Sequence, residues 1–120
     1  MSPNGSVSNG IALLEQFNRA FNRHDVDGMM DLMSADCVFE NTYPPPDGAR
    51  YEGAQAVRGF WEEFFRAAPR ARLDIEELYA SGGRGFQRWV YSWGEGRVRG
   101  VDLFRFEDGK IAEKLSYVKG

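Results

Sequence analysis

One carboxylate stands inside an apolar run. Asp102 lies in Gly100-Val101-Asp102-Leu103-Phe104-Arg105-Phe106, a segment that alternates as a strand does, and shares a face with Phe104 and Phe106. A carboxylate there must be paired, protonated or set in a wet cavity. Two readings stay open. Asp102 is a structural acid that bonds a loop backbone or an arginine, or it is a pocket acid whose apolar walls hold its proton more tightly. The chain has one His and one Cys. A zinc site normally needs several such ligands, so no metal is expected. A Ser-His-Asp or Cys-His scheme would have only His24 as its base. His24 falls at a helix end, where a histidine suits the dipole, and is expected to be structural. Cys37 has no neighbouring cation and reads as a small buried hydrophobe. Carboxylate, amide and phenol groups remain as the available chemistry, without a cofactor.

Aromatic residues are abundant: 3 Trp, 5 Tyr and 9 Phe in 120 residues. Trp and Tyr carry a polar tip that needs a partner when buried. Clustered Trp61, Trp89, Tyr91, Trp93 and Tyr117 therefore read either as core or as the lining of a cavity with polar contacts. Asn41 and Tyr43 open a loop stiffened by Pro44, Pro45 and Pro46. Asn41 either donates to a ligand oxygen or caps a turn.

The elements that must position these groups change character midway. Asn9 is placed to cap a helix running to about Arg23, with Ile11, Leu14, Phe17 and Phe21 on one stripe. Asp25 is the expected N-cap of a short second helix. Cys37 to Asn41 reads as a strand. A third helix spans about Ala54–Ala67, with Val57, Phe60, Trp61, Phe64 and Phe65 at helical spacing and Pro69 beyond its end. From Arg72 onward, segments near 72–80, 86–94, 97–107 and 110–118 are separated by Gly82-Gly83, Glu95-Gly96 and Asp108-Gly109. Short turns force antiparallel neighbours. The fold class is α+β, with helices on one face of a curved sheet. Residues 1–8 are expected to form a loose tail and residues 9–120 one domain.

Hairpin register divides the faces. Centring the last hairpin on Asp108-Gly109 pairs Phe104 with Glu113 and Asp102 with Leu115. Centring the preceding one on Glu95-Gly96 pairs Asp102 with Trp89. One face then carries Trp89, Tyr91, Trp93, Val98, Asp102, Phe104, Glu113, Leu115 and Tyr117. Arg99, Val101, Leu103, Lys114 and Ser116 fall on the other. For the first hairpin, a loop one residue longer than Gly82-Gly83 would turn Leu73, Ile75 and Tyr79 towards the helices, and burial favours it. Glu113 is expected to pair with a helix arginine.

Net charge is −3 with pI near 5.2, and no basic stripe marks a nucleic-acid surface. There is neither a membrane-length apolar run nor a signal-like N-terminus. The default expectation is a cytoplasmic protein with no nucleic-acid or membrane partner.

The chain resembles the SnoaL-like branch of the nuclear transport factor 2-like superfamily. The likeness rests on Phe21-Asn22-Arg23-His24-Asp25-Val26-Asp27-Gly28, Cys37-Val38-Phe39-Glu40-Asn41, Tyr51-Glu52-Gly53-Ala54-Gln55-Ala56-Val57 and the hairpin from Val101 to Ile111. It covers about residues 9–118. The resemblance implies a cone-shaped, curved antiparallel sheet with three N-terminal helices on its concave face, a hydrophobic pocket at the mouth, and homodimers through the outer face. Val90, Val101 and Leu103 suit such an interface. Ketosteroid isomerases of the superfamily use a helix Tyr, an Asp base and a neutral late-strand Asp. Here those positions match Phe17, Asn41 and Asp102. Glu40, beside the base position, should face the opposite way by alternation. The superfamily's epoxide hydrolases carry an Arg two residues before the Asp, where this chain has Gly100. Its polyketide cyclases use one main acid, which Asp102 resembles best.

The expected function is acid/base isomerisation, cyclisation or dehydration of a hydrophobic carbonyl compound. Asp102 would carry the proton, with Asn41, Tyr43 and Tyr117 orienting the substrate oxygen. Phe17, Phe39, Trp61, Phe65, Trp89, Tyr91, Trp93 and Phe104 would line the pocket. The alternative is a non-catalytic ligand-binding or dimerisation module. A pocket of several hundred cubic ångströms around Asp102 would favour the enzyme. A filled cone with Asp102 salt-bridged would favour the module.

Overall fold

The computed structural model describes the backbone of residues 3–120 and the side chains of residues 10–120. The expected cap at Asn9 and tail over residues 1–8 lie outside the described side chains. Three helices, α1 (Pro3–Asn22), α2 (Val26–Asp31) and α3 (Ala54–Ala67), pack against six strands. The strands are β1 (Met33–Glu40), β2 (Arg50–Glu52), β3 (Arg72–Ser81), β4 (Arg84–Ser92), β5 (Arg97–Glu107) and β6 (Lys110–Val118). They form one curved open sheet in the order β2-β1-β6-β5-β4-β3. Neighbours are antiparallel except β1 and β6, which run parallel. No helix among the described residues is long and apolar enough to cross a membrane.

Helical periodicity decides which faces are buried. Leu14, Phe17 and Phe21 of α1 meet Val57, Trp61 and Phe65 of α3 in one core. Asp25 caps α2 as expected, accepting from the Gly28 N–H at 2.9 Å. The end of α1 is tied to β3 by the Asn22 amide, which exchanges hydrogen bonds with the Leu73 backbone at 2.8 and 2.9 Å. His24 bonds the Ala71 carbonyl through Nε2 at 2.8 Å and stacks on Phe65, a structural role. Cys37 is buried, and burial raises its thiol pKa.

Two irregularities set the inner face. Gly82-Gly83 makes a two-residue turn between Ser81 and Arg84, not the longer loop expected. A bulge between Ile75 and Glu77 then restores the burial that the longer loop was meant to supply. Leu73 and Ile75 turn inward, opposite Tyr91 and Trp89, while Tyr79 pairs with Phe86 and stays exposed. In β6, Phe106 pairs with Ile111 but Arg105 pairs with Glu113, so Ala112 is one residue too many. Every residue after it changes face. Lys114 and Ser116 therefore point inward, while Glu113, Leu115 and Tyr117 join the outer face, the reverse of the simple register. Glu113 meets Arg105 of β5 at 3.7 Å and not a helix arginine.

Candidate active site

Asp102 is 1% exposed and faces the helices, as alternation requires. Its cross-strand neighbours are Gln87 on β4 and Ser116 on β6. The β4–β5 register differs from the expected one by two residues, so Gln87 replaces Trp89 opposite Asp102 without changing any face. Gln87 Nε2 donates to Oδ2 at 3.0 Å, and Ser116 Oγ donates to Oδ1 at 2.6 Å. Lys114 Nζ lies 3.4 Å from Oδ1 and donates to Ser116 Oγ at 3.0 Å. Behind Gln87, the Asn18 amide of α1 completes a reciprocal pair at 2.7 and 3.1 Å. All of these partners of Asp102 are donors. The carboxyl group is thus fixed beside Lys114 Nζ.

Lys114 is the unexpected member. Its Nζ is 4.7 Å from the centre of the Phe39 ring and 5.4 Å from that of Trp61, within reach of the π faces. Burial pushes the Lys114 ammonium below the usual lysine pKa, and Asp102 opposes that shift only in part. Two of its three N–H groups go to Asp102 and Ser116.

Lys114, Asp102 and Ser116 lie at one side of an apolar cavity of about 90 Å³. Phe17, Phe39, Trp61, Trp89, Tyr91 and Asn41 also line it, together with Leu73 and Val98. The indole Nε1 groups of Trp61 and Trp89 are buried with no protein hydrogen-bond partner. A buried donor left unpaired costs roughly 1–3 kcal/mol. Thr42 and Ser116 line both the cavity and a wider surface groove of about 440 Å³ beside the proline loop.

Five expected site residues stand elsewhere. Tyr43 is 72% exposed on the proline loop and away from the cavity wall. Tyr117 is turned to the outer face by the Ala112 bulge, where it lines the groove. Trp93 lies beyond β4, stacked on Tyr91 and packed over Gly96. Phe65 and Phe104 are core residues, packed on His24 and Phe106 respectively. Glu40 faces away from the cavity, as expected, and pairs with Arg50 at 2.9 Å. Gly100 has a steric reason: a Cβ there would collide with the Trp89 indole and the Tyr117 carbonyl. An arginine has no room at that position.

The fold and site together define an α+β cone with an acid–base pair beside a small aromatic cavity. Residues 14–114 match the SnoaL-like domain, and the chain belongs to that family. An NTF2-like protein of unknown function from Mesorhizobium loti is 38% identical, with 99% of this chain and 98% of that one aligned at a TM-score of 0.86. Two further structures share the fold alone. A SnoaL-like protein of unknown function from Burkholderia thailandensis is 18% identical over 94% of this chain and 97% of that one (TM-score 0.80). An LEH-like epoxide hydrolase of M. tuberculosis is 21% identical over 94% and 84% (TM-score 0.74). No curated protein matches the chain.

Proposed function

We propose that this chain catalyses proton transfer on a small carbonyl compound, with Lys114 in the role first expected of Asp102. The observation that carries this reading is the buried Lys114–Asp102 pair beside an aromatic-lined cavity. A lysine with a lowered pKa supplies a free amine nearer to neutrality and can exchange protons with an acidic C–H. Asn41, at the cavity wall, is an amide donor that can stabilise the charge developing on a carbonyl oxygen when the α-proton leaves. Asp102 and Ser116 fix Nζ, and Gln87 with Asn18 fixes Asp102.

Size limits the substrate. A cavity of about 90 Å³ is smaller than the roughly 150 Å³ that takes benzene. The carbonyl end therefore sits inside, and any longer body has to run past Thr42 and Ser116 into the groove. The same small volume and the paired Asp102 favour the second reading, a non-catalytic ligand-binding module.

Solvent exchange separates them. Butanone and cyclopentanone are incubated with the protein in D₂O, and loss of α-protons is followed by NMR. Exchange above the buffer rate that disappears in Lys114→Met supports catalysis. Ligand-induced shifts without exchange support the binding module.

For the outer sheet face we propose pairing with a second copy. The bulge adds Tyr117 to Leu103 and Tyr79 there, all three exposed.

A further inference from the structure

The chain has 12 arginines but only three lysines, Lys110, Lys114 and Lys119. Lys110 and Lys119 are exposed, whereas Lys114 is 6% exposed and borders the cavity. We propose that Lys114 captures carbonyl compounds covalently, as an iminium. This rests on the reading of the cavity as a carbonyl site and adds the bond that forms there.

The geometry supplies each part of that step. Phe39 and Trp61 crowd Nζ at 4.7 and 5.4 Å and keep water from it, and desolvation favours the free amine. Ser116 and Asp102 touch Nζ and can pass protons from it. Asn41 at the cavity wall offers an amide N–H to the oxygen of the adduct. The free amine attacks the carbonyl carbon, forming N–C while the C–O π pair moves to oxygen. A proton passes from nitrogen to that oxygen through Ser116 and Asp102, giving a carbinolamine. The nitrogen lone pair then forms C=N, and the hydroxyl leaves as water with the proton that Lys114 gave to Asp102 on becoming the free amine. Overall, one ammonium and one carbonyl give one iminium and one water, with no oxidation or reduction. An iminium draws electrons from the adjacent carbon and acidifies its C–H.

Reductive trapping tests the proposal. The full chain is incubated with butanone and, separately, propanal in the presence of sodium cyanoborohydride near neutral pH. The site of the reduced adduct is read by peptide mapping and mass spectrometry. Burial lowers the Lys114 pKa and so leaves more of it as free amine beside the cavity, and Lys114 is expected to be modified faster than Lys110 or Lys119. Modification of Lys114 no faster than the other two overturns the proposal. The comparison is internal to one chain and survives if Lys114→Arg fails to fold; where that variant folds, it should lose only the fast site. Deuterium exchange without trapping refutes the covalent step but leaves proton transfer by Lys114 standing. Trapping without exchange confirms the bond and refutes the catalytic reading.

Discussion

Lys114 Nζ sits 3.4 Å from Asp102 Oδ1 because one unpaired residue, Ala112, turns the two towards the same face. Both side chains are nearly fully buried, at 8% and 1% exposure. Two charges removed from water depend on each other for compensation, so neither is neutral to replace alone.

Loss of either partner should be costly. Lys114→Met leaves Asp102 buried with only Gln87 and Ser116, and is expected to destabilise the fold by about 3–5 kcal/mol. The double variant Asp102→Leu/Lys114→Met should lose clearly less than the sum of its single changes. Urea denaturation of the four proteins measures this, and additive losses would show that the pair is not coupled.

Alkaline pH should favour wild type over Lys114→Met. The Lys114 pKa is lowered in the folded state, so between that value and the ordinary lysine value of 10.5 the unfolded chain binds the extra proton. Stability from this group therefore rises with pH across that window, and its burial penalty is fully present below it. The stability difference between wild type and Lys114→Met, measured by denaturation from neutrality upward, should grow in favour of wild type. A flat difference would refute the shift.

Gly100 should tolerate no side chain. Gly100→Ala drives a methyl into the Trp89 indole and the Tyr117 carbonyl, for an expected loss of about 1–3 kcal/mol. Because Trp89 lines the cavity, its fluorescence should shift as well. An unchanged spectrum and stability would contradict the packing described.

Dimerisation through the outer face should depend on its apolar centre. Leu103→Glu is expected to convert a dimer into a monomer, read by light scattering coupled to gel filtration. A wild-type monomer would refute the interface.

Much of this architecture is legible in the residues. Val57, Trp61 and Phe65 fall on the buried side of α3 as their spacing demands, and Asp102 falls inward by simple alternation. Centring the β4–β5 hairpin on Glu95-Gly96 shifts the register by two residues, which keeps every face but sets Trp89 opposite Asp102 where the fold has Gln87. Lys114 and Ser116 escaped for a sharper reason. A one-residue bulge reverses every later side chain, and Ala112 carries no glycine, proline or turn pair to announce it. Arginine supplies most of the positive charge, 12 residues against three lysines, and Lys114 between Glu113 and Leu115 carries no mark of burial in its immediate neighbours.

The central claim is that Lys114 is a desolvated amine held by Asp102 inside the cone. With three lysines in the chain, the side-chain Cε–Hε signals can be followed individually by NMR through a pH titration. One signal should titrate below the other two, be absent in Lys114→Arg, and move when butanone is added. If all three titrate together near the ordinary lysine value, Lys114 is solvated and the account is wrong.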